Sequence, residues 1–263
     1  MMRTSLHPAL TITASLIFAI LVAPLFIILG AAVSDTSYLT FPPQGFTLRW
    51  FTNIFEISAF RTTAITSLQI AMLGTALALL IGIPAAYALN RFRIRLPSWL
   101  ANVFVLPILV PEIVLGFSLL KSVTISLGLP VFLVLLLGHA LLVLPYAVRV
   151  VGASLASFDF SIEEAAISLG CPPLKTFFTV VLPNISAGVI AAFILAFITS
   201  MNDVSVSLFL TGPGISTLPI QILAHMEQFF DPTIASVSVL LMVLTVGVMA
   251  IVEATLGLTF LTK

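Results

Sequence analysis

The sequence predicts an all-α, polytopic membrane protein with six transmembrane helices, and two observations carry that reading. Of the 263 residues, 60% are hydrophobic and 8% are charged, against about a quarter charged in an ordinary soluble domain. A chain of this composition cannot clothe itself for water, so lipid is its solvent. Apolar stretches long enough to cross about 30 Å of hydrocarbon occur six times, near residues 9 to 33, 63 to 89, 99 to 121, 129 to 151, 184 to 210 and 234 to 258.

The first stretch has Arg3 before it and Ala31, Ala32 and Ser34 after it, in the manner of a signal peptide. Its apolar run is nearly twice the usual signal core, which makes it a retained helix. Orientation follows from the basic residues. Arg3, Arg91, Arg93, Arg95, Arg149, Lys175 and Lys263 fall at alternate connections, while Arg49, Arg61 and Lys121 lie on the other side. That bias puts both termini in the cytoplasm. One membrane domain, 1–263, is expected, with an outer segment from Ser34 to Thr62 that carries turn residues and the aromatic pair Trp50-Phe51 along the membrane surface.

Several function classes drop out. Ten basic and ten acidic side chains cancel, which removes the basic field that nucleic acid requires. Cys171 has no partner for an intrachain disulfide, and His7, His139 and His225 are scattered, so neither a disulfide framework nor a metal site is expected. The G-x-x-x-x-G-K-[ST] phosphate loop is missing, as are the H-E-x-x-H and G-x-S-x-G signatures of hydrolases. An intramembrane enzyme has nothing to work with. A gradient-driven secondary carrier stays compatible with composition alone.

The inner segment 152–183 holds the sharpest local signal. Ser161-Ile162-Glu163-Glu164 has the capping-box pattern, in which the serine hydroxyl and the second glutamate satisfy each other's backbone amides. A helix is therefore expected from Ile162. Ile162, Ala165, Ala166 and Leu169 follow at one-face spacing, Gly170 supplies a C-terminal cap and Pro172-Pro173 forbid continuation. A helix below about 12 residues is marginal in water, so something must cover its apolar face. Docking into a partner's groove is one cover; the lipid surface and the chain's own bundle are the others. Anionic lipid is disfavoured because the polar face offers Glu163 and Glu164 without a cation.

The segment resembles a known family. Glu164-Ala165-Ala166, then Gly170, then Val180-Val181-Leu182-Pro183 is similar to the EAA loop of ATP-binding cassette importer permeases, with valine in place of isoleucine at one position. The likeness runs over essentially the whole chain and is strongest to spermidine/putrescine-type permeases. It includes Phe41 to Trp50, Leu106 to Leu120 and Ser200-Met201-Asn202-Asp203 through Leu218-Pro219. Permeases for iron, thiamine, phosphonates and sulfate share the architecture.

The resemblance implies a type I importer permease that forms the translocation path in a bacterial inner membrane. Its partners would be two copies of a cassette ATPase, a second and different permease chain, and an outer substrate-binding protein. ATP and Mg would bind the ATPase, with no cofactor on this chain. Coupling would fall to Glu163, Glu164, Ala165, Ala166, Leu169, Gly170, Leu182 and Pro183.

Acids inside the membrane are the remaining candidates. A carboxylate near mid-bilayer costs about 2.5 to 3.5 kcal/mol, so Glu112 and Asp203 need partners or water. Glu112 follows Pro107 and Pro111, which break the third stretch where a backbone lines a cavity. Two readings stand for each acid. They line a cation route together with Asn202, or Glu112 pairs with Lys121 or snorkels to the outer face while Asp203 caps the next segment. The polyamine-type pattern often has two acids where this chain has Asn202 before Asp203. Gly74, Ala78 and Gly82, and likewise Ala192, Ala196 and Ser200, recur every four residues and predict close helix packing. His225, Glu227 and Asp231 are expected as solvated loop residues.

Overall fold

Lipid offers a backbone no hydrogen bonds, so each spanning segment must satisfy its own. In the computed structural model, which describes residues 8–92, 97–104 and 106–256, the apolar stretches are accordingly helical. Arg3, His7, Arg93, Arg95 and Lys263, used above for orientation or excluded as ligands, lie outside those residues, as does the end of the 234 to 258 stretch.

Helices α1 (Pro8–Ala32), α2 (Arg49–Glu56), α3 (Ser58–Arg91), α4 (Ser98–Val103), α5 (Leu106–Leu109), α6 (Glu112–Leu119) and α7 (Val131–Ala156) make the first part of the chain. The rest comprises α8 (Ser161–Ser168), α9 (Pro173–Thr176), α10 (Leu182–Asn184), α11 (Ser186–Met201), α12 (Leu218–Gln228) and α13 (Thr233–Leu256). Among the described residues four helices, α1, α3, α7 and α13, are long and apolar enough to cross a membrane unaided, and a bent fifth span combines Pro173–Asn184 with Ser186–Met201 at 73°.

The expected count of six transmembrane helices is therefore not confirmed among the described residues. The 99 to 121 stretch is divided into α4, α5, α6 and a π-helical turn at Leu120–Ile125. Pro111 explains the break before α6: it is the N-cap, with no amide to donate, and it pushes Val110 out of helical geometry. The fifth stretch stops at Met201 rather than running to 210, because the chain turns there around Asp203.

The chain divides into two compact units, one formed by the chain up to Arg61 with Ile222–Leu244, the other by Thr62–Gln221 with the chain from Thr245. In the first, Ala31 and Ala32 pack with Ala235 and Val239, and the Ser236 hydroxyl donates to the Ala32 carbonyl at 3.2 Å. Helix α2 buries Trp50 and Ile54, and the Trp50 indole donates to the Ser34 carbonyl at 2.8 Å. His225 departs from the expectation of a solvated loop residue. It is buried on α12 against Phe60, with its ring nitrogen 3.3 Å from Asp231, because the Asp231 carboxylate gives a buried imidazole a polar partner.

In the second unit α7 is the most enclosed element, with Val134, Leu135, Val143, Ala147, Val151 and Leu155 all buried. Both small-residue stripes lie against it. A Cβ at Gly74 would meet His139 Cβ at 3.3 Å, and one at Gly82 would meet Ala147 Cβ at 2.9 Å. Ala192, Ala196 and Ser200 are buried along α11, where a Cβ at Gly188 would run into Ser154.

Gly82→Val is expected to destabilise the purified chain by about 1 to 3 kcal/mol through overpacking, read as a lower midpoint in detergent thermal unfolding. Gly247→Val, at a site with nothing within 4 Å of a new Cβ, serves as the control and should leave the midpoint in place.

Candidate functional site

The inner loop is built from α7 outward. After Ala156 the chain turns through Ser157 to Phe160, and α8 begins at Ser161, one residue earlier than expected. The capping box does not form. Asp159 Oδ1 accepts the Ser161 amide at 3.0 Å, while Glu164 Oε1 takes a charge-assisted bond from Arg91 Nη2 at 3.0 Å, a stronger partner than a backbone amide. The Ser161 amide, and secondarily its hydroxyl, hold the Asp159 carboxyl below the usual carboxylate range.

The far end matches expectation. Gly170 has φ +89°, its amide donates to the Ile167 carbonyl at 2.9 Å, and the Cys171 amide donates to the Ala166 carbonyl at 3.1 Å. Together these form the Schellman arrangement that closes a helix on glycine. Pro172 and Pro173 then start α9, which leads through a π-helical turn at Phe177–Val181 to α10. Val181 is buried, Leu182 half-buried and Pro183 exposed.

The two faces of α8 are chemically opposite. Glu163 is 2% exposed and turned inward. Its Oε1 accepts from the Tyr87 hydroxyl, and its Oε2 lies 3.1 Å from Arg91 Nε. The Arg91 guanidinium also sits 5.3 Å over the Phe160 ring, and Tyr87 packs edge-on against Phe177. On the other side Ile162 and Leu169 are exposed, Leu169 to 88%. Ala165 is exposed and Ala166 half-buried, and no atom lies within 4 Å of a Cβ built at Gly170.

Sequence reasoning grouped Glu163 with Glu164 and used Arg91 only to orient the chain; Tyr87 was missed. The signal available was the one-turn spacing of Tyr87 and Arg91 on one face at the end of α3.

The two intramembrane acids occupy unlike settings. Glu112 is exposed in the first turn of α6, where the helix dipole favours an anion. Among the described residues no ion pair joins it to Lys121. Asn202 is exposed and donates to the Ile198 carbonyl at 2.9 Å. Asp203 is buried. It accepts from the Val206 amide at 3.2 Å, the Ser207 amide at 2.9 Å and the Ser207 hydroxyl at 2.8 Å, the arrangement of the capping alternative.

His139 of α7 completes this cluster. Its Nδ1 lies 2.7 Å from Ser200 Oγ and its Nε2 3.0 Å from Ser207 Oγ, with Asp203 Oδ2 at 3.6 Å. The Ser207 hydroxyl donates to Asp203, which leaves Ser207 Oγ to accept from Nε2–H, and in that tautomer Nδ1 accepts from the Ser200 hydroxyl. Every polar atom is then matched.

A family model described as "Binding-protein-dependent transport system inner membrane component" matches residues 78–256. The chain belongs to this family. The permease is 30% identical over 232 residues to the putrescine transport system permease protein PotI of Escherichia coli K12, covering 86% of this chain and 82% of the relative. It is 31% identical to the spermidine/putrescine permease PotC of the same organism, covering 87% and 86%. A putative 2-aminoethylphosphonate permease, PhnV of Salmonella paratyphi A, is 29% identical over 92% of each chain.

Among solved structures, a bacterial ABC transporter that imports the acidic polysaccharide alginate superposes with a TM-score of 0.70 at 16% identity, over 94% of this permease and 95% of that chain. The inward-facing MetNI methionine transporter superposes at 0.62 and 17% identity, over 74% and 93%. Both report the type I importer permease fold. This chain is thus an ABC importer permease subunit, a component of the inner membrane with several apolar helices.

The depressed Asp159 value has a pH consequence. The cap is fully present above the ordinary aspartate value of about 3.9 and is lost as pH falls through the lower folded value. The Ser161 amide chemical shift is expected to titrate with a midpoint below about 3.9, and Asp159→Asn should abolish that titration.

Proposed function

We propose that α8 is the ATPase-coupling helix of this permease and that the transported solute is a small molecule bearing a primary ammonium, with polyamines the leading class. The uncovered face of Ile162, Ala165 and Leu169 carries the first part. Two turns of helix with their apolar side in water are marginal alone, and a protein groove lined for such a face is the cover that fits. ATP and Mg are bound by two copies of the cassette subunit. A second, different permease chain and an outer binding protein complete the assembly, and both termini lie in the cytoplasm.

Three relatives support the solute class. Putrescine, spermidine and 2-aminoethylphosphonate share a protonated amine, whatever else they carry. Glu112, an exposed carboxylate at a broken helix, has the charge to meet it, and exposed Asn202 is assigned to the same route. Asp203, filled by three donors, holds the turn that follows α11 and shapes the path indirectly. In alternating access, closure of the ATPases draws the docked helices together and turns the path outward.

Leu169→Asp is the cleanest test of docking, since that side chain is 88% exposed; Gly170→Asp also strains the left-handed backbone that closes α8. Each is expected to lower the amount of ATPase purified with the permease by about tenfold while membrane insertion is unchanged; wild-type recovery of the ATPase would contradict the docking role. Glu164→Lys is less informative because it also sets a cation against Arg91.

In proteoliposomes, stimulated ATPase activity screened with putrescine, spermidine and 2-aminoethylphosphonate identifies the cargo. Glu112→Gln is expected to reduce amine uptake by about fivefold or more, the range of one charge-assisted contact, whereas Asp203→Asn is expected to lower thermal stability. Amine uptake untouched by Glu112→Gln would remove that residue from the path.

A further inference from the structure

We propose that Tyr87, Arg91 and Glu163 form a fixed joint that passes displacement of α8 into α3, which makes Glu163 a positioning residue and not an ATPase contact. The inference rests on the permease reading above. Two adjacent acids on one short helix have been sorted by the fold: the Glu164 side chain is 61% exposed, the Glu163 side chain 2%. A partner reaches the first and is shut out from the second.

The joint is hard to open. Glu163 Oε2 has no aligned hydrogen bond and is held by the charge of Arg91 at 3.1 Å, while Oε1 is filled by the Tyr87 hydroxyl. A buried charge that loses its partner is costly. Lifting α8 away from α3 would strand that charge, so the two move as one body. Arg91 tightens the grip by reaching Glu164 and covering Phe160 at the same time.

What α3 can do with the push is also visible. Tyr87 and Arg91 lie in its last two turns, just beyond Pro84. Pro84 has no amide to give the Leu80 carbonyl, so the helix ladder is weakest one turn before the joint. Beside it is an apolar cavity of about 520 Å³ walled by Leu80, Pro84, Tyr87, Phe177 and Leu182, among others. It is open to the surface, with Leu80 73% exposed, so the end of α3 can bend about Pro84 on this side without expelling packed side chains. The joint, the proline and the cavity together describe a lever with a pivot and room to swing.

The test uses the complete assembly in proteoliposomes and reads two quantities, the ratio of ATPase to permease and the solute moved per ATP hydrolysed. Glu163→Gln keeps the shape and a hydrogen bond to Tyr87 but cancels the charge pair. Tyr87→Phe removes one hydroxyl. Both are expected to retain the ATPase at the wild-type ratio while solute per ATP falls, by about tenfold for Glu163→Gln and about fivefold for Tyr87→Phe.

A wild-type coupling ratio in Glu163→Gln overturns the proposal; where that variant fails to accumulate, the same result in Tyr87→Phe does so. Loss of the ATPase from the Glu163→Gln assembly also overturns it, because Glu163 would then be a docking contact. An unmodified assembly that purifies with no ATPase at all defeats the coupling reading of α8 instead, and so separates the two failures.

Discussion

Everything in the larger unit depends on how closely two helices can approach α7. Lipid tails are as apolar as leucine, so helices gain nothing by hiding apolar surface from them and associate through close van der Waals contact instead. Gly74 and Gly82 of α3 bring that helix onto the α7 backbone, and Ala192, Ala196 and Ser200 do the same for α11. The four residues between α7 and α8 then place α8 beside the Arg91 end of α3. Arg91 meets Glu163 because glycines about two and a half and five turns away allow it.

The same closeness accounts for the polar cluster. His139 lies at the contact of α7 with α11, flanked by Ser200 and, across the turn after Met201, by Ser207 and Asp203. A buried imidazole and a buried carboxylate are costly unless fully hydrogen-bonded, and here each is. The cluster fixes where α11 ends and the chain reverses. Glu112 and Asp203 look alike as letters, yet one is saturated inside the bundle and the other is exposed at the start of a helix.

Much of this was legible in the sequence because much of it is local. Gly170 with Pro172-Pro173 announces the end of α8, the four-residue stripes announce packing seams, and the spacing from Glu164 to Pro183 announces the family. What escaped is long-range or competitive. Nothing near Ser161 says that Glu164 will prefer Arg91, 73 residues distant, over the amide beside it, or that Asp159 will accept from the Ser161 amide. Apolar runs specify solvent but not continuity: the stretch with prolines at 107 and 111 is divided into short helices, and among the described residues four helices and one bent pair are long and apolar enough to span. His225 was misplaced for a related reason: a polar letter in an outer segment says nothing of the Phe60 and Phe229 rings that fold over it.

The bare side of α8 also bears on how long such a chain survives alone. A folded copy without its partner still shows Ile162, Ala165 and Leu169 to water, and exposed apolar surface on an otherwise finished protein is what chaperones and proteases recognise as unfinished. On the docking reading proposed above, surplus subunits carry their own mark for disposal, and assembly erases it. Stoichiometry among the subunits can thus be kept by two turns of helix, with no dedicated regulator.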